Sequence, residues 1–295
     1  MELNNHRMES KMAIQPPSRV NFVFSGPCNM SCSFCFSPFK GFDNKNPTSL
    51  ASWKLIIDRL KAWNVKNITF SGGDPFASVD FPLLLSYTLG LFRREIFLQI
   101  DTNGIGINSN HYSALSEVGL VGLPLDGGNS EVHSRVRKDG HFETIMQLLP
   151  DFARHQIPLK INTLVCSKNI KDLTQIGLLL SSFPIKRWSL YEFWPLGPVG
   201  LTNQFEFAIP HSLYQSEVEK VQAEFPKLHV EMGSIESRSQ AYFFVNDEGL
   251  AFTVNKLNCS EYIFLGSIFG DSIIELWAEH GNPSLVQKRF EYRID

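Results

Sequence analysis

The stretch Asn67-Ile68-Thr69-Phe70-Ser71-Gly72-Gly73-Asp74-Pro75 sets the pattern of the whole chain. Ile68, Thr69 and Phe70 favour an extended backbone, and the two glycines that follow reach conformations closed to other residues, so a short strand ends in a tight turn. Upstream, Pro47-Thr48 opens a segment in which Leu50, Trp53, Ile57 and Leu60 recur at helical spacing. That is a helix of about four turns with one apolar stripe for a sheet. Further upstream, Val20-Asn21-Phe22-Val23-Phe24 reads as a first strand running into a loop. Downstream the alternation repeats: helical at 81–93, extended at 95–101, helical at 110–117, extended at 119–125, helical at about 141–155, a strand Leu159–Cys166, a helix at about 170–182 and a strand Trp188–Trp194.

Six strands alternating with helices imply a parallel sheet, since each crossover returns the chain to the same edge with the same hand. Six units are too few for a closed eight-stranded barrel, so an open partial barrel and a flat doubly wound sheet both fit the periodicity. In either, chemistry gathers where the strands end. The loop after the first strand, the Gly72-Gly73 turn, Thr102-Asn103-Gly104, Asp126 and Cys166 all fall there. From about residue 203 the alternation breaks down. Ser212–Phe225 reads as a helix, Ala241–Val254 as two strands around an Asn-Asp-Glu-Gly turn, and Ser272–His280 as a closing helix. No low-complexity linker separates the halves, so the tail is expected to pack onto the sheet.

Composition narrows the field. The 295 residues are 43% hydrophobic and 19% charged, an ordinary globular mixture that excludes a disordered tail or a small disulfide scaffold. Lys+Arg 27 against Asp+Glu 30 leaves a net charge of -3, which argues against a nucleic-acid duplex or an anionic membrane as partner. No run approaches the roughly 20 apolar residues of a membrane span, and the polar start lacks the apolar block of a secretory signal, so a cytoplasmic location is expected. The 24 Phe mostly read as core.

The chain has five cysteines, three of them in Cys28-Asn-Met-Ser-Cys32-Ser-Phe-Cys35. A disulfide framework does not cluster its sulfurs in this way, and a structural zinc site closes with four ligands, usually in two knuckles. No second knuckle exists here. Three soft ligands in one loop fit a cubane 4Fe–4S cluster better, leaving one iron without a protein ligand. A zinc site completed by a distant His and a set of unligated thiols remain as the other readings.

The loop resembles the C-x3-C-x2-C signature of the radical S-adenosylmethionine superfamily, including the aromatic Phe34 before the third cysteine. Gly72-Gly73-Asp74-Pro75 is similar to the family's Gly-Gly-Glu-Pro turn, Thr102-Asn103-Gly104 to its Thr-Asn-Gly, and Leu125-Asp126-Gly127 with Glu131-Val-His-Ser-Arg135-Val-Arg137 to its Leu-Asp-Gly…His…Arg segment. Leu190–Gly197 is similar to a sixth-strand motif of the molybdenum-cofactor cyclase branch. The resemblance covers roughly residues 18–200. It implies an α/β fold, a partial (β/α)6 TIM-like barrel over 19–202, behind a polar leader at 1–18. Residues 203–295 would form a small α+β C-terminal extension, similar to a SPASM/twitch remnant, in which the single Cys259 cannot hold an auxiliary cluster.

The resemblance also implies residue roles. Cys28, Cys32 and Cys35 would hold one 4Fe–4S cluster, whose reduction cleaves bound S-adenosyl-L-methionine to a 5′-deoxyadenosyl radical. Gly72 and Gly73 would let backbone carbonyls approach the methionine ammonium, with Asp74 orienting the turn in place of the usual Glu. Thr102 and Asn103 are candidates for the cofactor's carboxylate or ribose, against a plain turn. Pro124 stands where the family often has Ser, so that hydroxyl contact is lost or supplied elsewhere. Asp126 and Arg137 read as a structural ion pair. Asn162 shares a strand face with Lys160 and is a candidate for the methionine portion, against a solvated strand end. Glu192 has the same geometry and could meet a substrate, or be a buried, paired carboxylate. Cys166 could return a hydrogen atom to a substrate radical, or be an apolar buried cysteine.

The function expected is an enzyme that abstracts hydrogen from a biosynthetic small molecule of sugar or nucleoside type, with a flavodoxin or ferredoxin as electron donor. The alternative is a maturase that epimerises or cross-links a ribosomal peptide. The leader of only about twenty residues ahead of the first strand is expected to be too short for a peptide-recognition domain, which ranks the small molecule slightly ahead. A non-catalytic iron–sulfur or zinc protein is the remote alternative; ferredoxin-like carriers supply four cysteines per cluster.

Overall fold

The computed structural model describes residues 15–26, 28–39, 48–239, 241–255 and 257–281. Residues 1–14 of the polar leader, Pro47 ahead of the first helix and residues 282–295 of the tail lie outside the described residues. The described chain runs β1 (Arg19–Phe24), α1 (Leu50–Ala62), β2 (Asn67–Gly72), α2 (Phe81–Phe92), β3 (Phe97–Asp101), α3 (Tyr112–Leu115), β4 (Leu120–Pro124), α4 (Ser130–Val136), α5 (His141–Arg154), β5 (Leu159–Val165), α6 (Leu173–Leu180) and β6 (Ile185–Glu192). It continues through α7 (Gly197–Thr202), α8 (Gln204–Phe207), α9 (His211–Glu224), β7 (Val230–Gly233), α10 (Ile235–Ser239), β8 (Phe244–Asn246), β9 (Leu250–Val254), β10 (Tyr262–Ser267) and α11 (Ile273–His280).

Strands β1 to β7 lie side by side in chain order, each parallel to the next. A doubly wound sheet reverses its order at a switch point; this one does not, so the open partial barrel is the architecture present. Two sequence expectations need correction. The alternation does not stop near residue 203, because α9 leads into β7, which pairs in parallel with β6. Four residues, Val-Glu-Met-Gly, are too short for periodicity to register. The sixth strand is Ile185–Glu192 and leaves Phe193 and Trp194 beyond its end. Its start, Ile-Lys-Arg, is polar, yet the backbone pairs with β5 all the same.

The tail docks as expected, and it does so at both edges. β8 adds to β1 in parallel, and β9 and β10 follow as an antiparallel meander, giving one ten-stranded sheet. Among the described residues no helix is long and apolar enough to cross a membrane.

The two faces of the sheet differ in chemistry. On the helix side, Phe24 meets Trp53 of α1 edge-on at 5.2 Å and Phe81 of α2 at 5.6 Å, while Phe22 meets Phe70 at 5.5 Å. Such pairs join burial to favourable ring geometry and tie β1 and β2 to both helices. The alternate positions are polar but also buried. Arg19 donates to Thr69 Oγ1 at 3.3 Å, Gln99 Nε2 donates to Asp101 Oδ2 at 2.9 Å, and Lys160 is 3% exposed. Burying polar groups is costly unless they are bonded, and here several bond one another, so this inner face carries a network.

Phe243, just ahead of β8, is 1% exposed and lies edge-on to Trp63 at 6.0 Å and to Trp277 of α11 at 5.3 Å. Phe243→Ala is expected to cost about 3–5 kcal/mol and to keep a single unfolding transition. Urea unfolding followed by circular dichroism checks this; a separate early transition for the tail would show that it is not part of the same cooperative unit.

Candidate active site

The site is built from the loops that follow the strands. Gly72 ends β2 opposite Phe24, with φ +110°, and a Cβ there would sit 2.4 Å from the Phe24 backbone nitrogen. Only glycine meets both conditions. The Gly73 N–H then donates to the Phe24 carbonyl at 2.8 Å. The buried Asp74 carboxylate accepts from the Phe76 N–H at 2.9 Å, from Thr102 Oγ1 at 2.9 Å and from the Asn103 N–H at 2.6 Å. Asp74 therefore orients its turn and also fastens it to the loop after β3. Burial pushes the Asp74 carboxyl up to about 6, against these donors, which pull it down.

Thr102 has its hydroxyl proton on Asp74 and accepts from the Gly104 N–H at 3.1 Å, so its side chain works within the loop. Asn103 reaches outward. Its Nδ2 donates to Asn29 Oδ1 at 2.6 Å and lies 3.8 Å from Cys28 Sγ.

A second support comes from β4. Asp126, fully buried, pairs with Arg137 as expected and accepts from the Leu164 N–H at 2.6 Å. Arg137 Nη1 lies 3.9 Å from Cys32 Sγ, and its guanidinium stands 4.9 Å from the Phe34 ring centre. Burial alone would lower the Arg137 pKa, but Asp126 and the Cys32 and Cys35 sulfurs outweigh it and hold it above its ordinary value. The two supports are joined by stacked histidines. The Asp126 N–H donates to His133 Nδ1 at 3.0 Å, His133 Nε2 lies 2.8 Å from His141 Nδ1, and His141 Nε2 lies 2.8 Å from the Asn103 carbonyl. A backbone donor at one end and a carbonyl acceptor at the other allow one arrangement: both rings neutral, each with its proton on Nε2. Burial lowers the His133 pKa to about 4 and lowers that of His141 as well.

All three cysteines line one cavity of about 760 Å³ with Phe34, Gly72, Gly73 and Asp74; Thr102, Asn103, Asn162 and Glu192 complete the wall. Pro124 lines it too. Deeper in, Asn162 Nδ2 donates to Asp101 Oδ1 at 3.0 Å, and Lys160 Nζ donates to the Tyr191 hydroxyl at 2.9 Å and stands 3.8 Å from Asp101. Burial opposes the Lys160 charge, but Asp101 and Tyr191 outweigh it and its pKa is raised. Gly122 makes the meeting possible: a Cβ there would sit 2.0 Å from Asp101 Oδ1. Asn162 is thus a strand-face residue turned inward, and two buried atoms of this wall, Asn21 Nδ2 and Asn162 Oδ1, have no partner among the described residues.

Two candidates are placed away from open contact. Cys166 is not among the residues lining the cavity; it is fully buried with Val136, Phe193 and Phe207, and burial pushes its thiol up to about 12. That packing is the environment of an apolar buried cysteine. Glu192 lines the wall, yet Oε1 lies 3.0 Å from His211 Nδ1 and Oε2 accepts from the Ile235 N–H at 2.9 Å, as a paired carboxylate does. Sequence reasoning passed over Asp101, Tyr191 and Arg238, which also line the cavity. Asp101 directly precedes the Thr-Asn-Gly motif and was within reach of it. Arg238, set 4.9 Å from the Trp194 ring centre, carries no local signal.

The loop suits an iron–sulfur cluster on its donor chemistry: three thiols, with the Asn103 amide and the Arg137 guanidinium aimed at two of the sulfurs, as anionic sulfur requires. Among the described residues no three His, Cys, Asp or Glu side chains converge as the shell of a single metal ion.

A family model described as the Radical SAM superfamily matches residues 22–176. An S-adenosylmethionine-dependent nucleotide dehydratase of Selenomonas ruminantium is 29% identical over 192 residues, 58% of this chain and 64% of its own. Fe-coproporphyrin III synthase of Methanosarcina barkeri is 30% identical over 167 residues, 56% of this chain and 41% of its own. The mycofactocin maturase MftC of Mycolicibacterium smegmatis is 28% identical over 173 residues, 58% and 43%. The chain thus spans less than two thirds of each of these relatives. Among solved structures, Streptococcus suis SuiB bound to S-adenosylmethionine aligns with a TM-score of 0.70 at 14% identity, over 94% of this chain and 68% of that one. Native anSMEcpe with bound AdoMet and Cp18Cys peptide aligns at 0.68 and 18%, over 90% and 82%. At such identities the likeness is one of fold.

Gly72→Ala is expected to destabilise the chain by about 3 kcal/mol or more, read as a lowered urea midpoint, since it forces both strain and overlap; an unchanged midpoint would show that the turn accepts a side chain. The acid range gives a second expectation. His133, at about 4 when folded against 6.5 ordinarily, contributes stability that is present above 6.5 and lost as the pH falls through 4. Asp74, at about 6 when folded against 3.8 ordinarily, acts in the opposite sense, its contribution present below 3.8 and lost as the pH rises through 6. Asp74→Asn therefore loses stability with falling pH between these values more steeply than the unaltered chain, by about 1.4 kcal/mol per pH unit for one proton. Unfolding free energies measured across that range test it, and parallel profiles would refute it.

Proposed function

The chain belongs to the radical SAM superfamily of enzymes, and from that premise we propose that it abstracts hydrogen from a small hydroxylated metabolite of sugar or nucleoside type held on the polar wall of its cavity. One 4Fe–4S cluster on Cys28, Cys32 and Cys35 is the cofactor assigned, with S-adenosyl-L-methionine beside it and a flavodoxin or ferredoxin as electron donor. Loaded, the cluster supplies the electron that cleaves S-adenosylmethionine to a 5′-deoxyadenosyl radical.

The chain's own residues do the rest. Gly72 and Gly73 present backbone without side-chain bulk to the cavity, and Asp74 keeps that turn in register with Asn103. Asn103 and Arg137 hold the cysteine loop by its first two sulfurs. The observation that carries the substrate class is the polar wall itself, where Asp101, Asn162 and Tyr191 line the cavity beside Asn21. A hydroxyl group suits such a wall, because it both donates and accepts. The relatives' names range from a nucleotide dehydratase to an Fe-coproporphyrin III synthase and a PqqA peptide cyclase, so they select no substrate for this chain. The peptide reading draws its support from the neighbours in fold, which include SuiB bound to its precursor peptide SuiA.

Anaerobic reconstitution followed by dithionite and S-adenosylmethionine is expected to yield 5′-deoxyadenosine and methionine. Alanine at Cys28, Cys32 or Cys35 should reduce the yield by about a hundredfold or more, whereas Cys166→Ala and Cys259→Ala stay near the parent. If the unaltered protein forms neither product, the proposed cofactor chemistry is wrong. Nucleosides, nucleotides and sugar phosphates, tried beside short peptides, should raise 5′-deoxyadenosine above the uncoupled rate, and Asn21→Leu should abolish the stimulation. Stimulation by peptides alone would reverse the substrate assignment.

A further inference from the structure

The tail after residue 203 reads in sequence as a vestige, but its contacts converge on the cysteine loop. Asp247, in the turn between β8 and β9, is 3% exposed. Its Oδ1 accepts from the Ser25 N–H at 2.9 Å and from the Ser25 hydroxyl, and its Oδ2 accepts from Thr48 Oγ1 at 2.7 Å. Ser25 lies three residues before Cys28, and Thr48 begins the approach to α1. One carboxylate thus bridges the two sides of the cysteine-bearing segment across 222 positions of chain. Trp53 Nε1 donates to Thr48 Oγ1 at 2.8 Å and carries the tie into α1.

Burying a carboxylate is costly unless it is well bonded, and among the described residues no cation forms an ion pair with Asp247. Among the described residues its side-chain partners are Ser25 and Thr48. The turn that carries it is set independently of them: Asn246 Oδ1 accepts from the Glu248 N–H at 3.1 Å and the Leu250 N–H at 2.8 Å, and the Asp247 N–H donates to the Val23 carbonyl at 3.2 Å. A second tie lies just after the last cysteine, where the Tyr262 hydroxyl of β10 donates to the Phe36 carbonyl at 2.7 Å.

We infer that the β8–β9–β10 meander is a strap for the cysteine loop, and that Asp247 and Tyr262 are positioning residues that keep its three thiols gathered around their cluster. This rests on the cofactor reading above and goes beyond it, giving the tail a task that needs no metal of its own. A strand added at the free edge of β1 is well placed for it, because the loop to be held leaves the C-terminal end of β1.

The test uses the full chain, reconstituted anaerobically with iron and sulfide. Asp247→Ala is expected to release iron to a ferrous chelator about tenfold faster than the parent and to alter the EPR signal of the reduced cluster, with little change in melting of the metal-free protein. Asp247→Asn keeps one oxygen for the Ser25 N–H and should recover most of the retention. Tyr262→Phe deletes one hydroxyl and should speed release by about threefold. Should Asp247→Ala not fold, Ser25→Ala and Tyr262→Phe make the same comparison. Parental release rates and an unchanged EPR signal in all these variants would overturn the strap while leaving the cofactor reading intact. A parent protein whose cluster signal does not respond to S-adenosylmethionine would remove the cofactor reading itself.

Discussion

Seven parallel strands laid in chain order bring the end of every strand to one rim, and everything else at the site depends on that constraint. Loops far apart in sequence can then be fastened side by side with single hydrogen bonds. Asp74 shows how little is needed: one short carboxylate takes donors from its own turn and from the next loop, and so aligns glycine backbone with Asn103. Its desolvation is offset only in part, by local N–H and O–H groups and not by a cation, while the Arg137 guanidinium serves Asp126 and the Cys32 sulfur.

The inner face of the sheet makes a different trade. An apolar lining would be more stable, because buried ion pairs seldom repay their desolvation. Instead β3, β5 and β6 contribute Asp101, Lys160, Asn162 and Tyr191, joined to one another through the gap left by Gly122. Such a wall fixes the direction of its polar atoms before any ligand arrives. The helix side carries the stability, through Phe22, Phe24, Phe70 and Phe81.

The tail changes the meaning of the molecule's last third. A ten-stranded sheet shares its cooperativity with whatever extends it, so β8 to β10 stand on the same aromatic packing as the strands of the barrel, and Asp247 brings that rigidity to the loop that most needs it. The histidine pair plays a comparable part from below, linking the supports of Cys28 and Cys32 through neutral rings.

Much of the fold and the cysteine loop could be read from the chain itself, because each depends on neighbours in sequence. Strand–helix alternation, the glycine turn, the Thr-Asn-Gly motif and the three spaced cysteines are local patterns whose physics is complete within a few residues. β7 escaped because four residues show no period, and Arg238, Tyr191 and Asp247 escaped because their partners lie tens to hundreds of positions away. Sequence determined which chemistry the chain can host, since ligand type and spacing are covalent facts. Tertiary structure alone decided which side chains face the cavity, which carboxylates are already taken and where the tail docks, since those follow from strand order and from the contacts that burial forces.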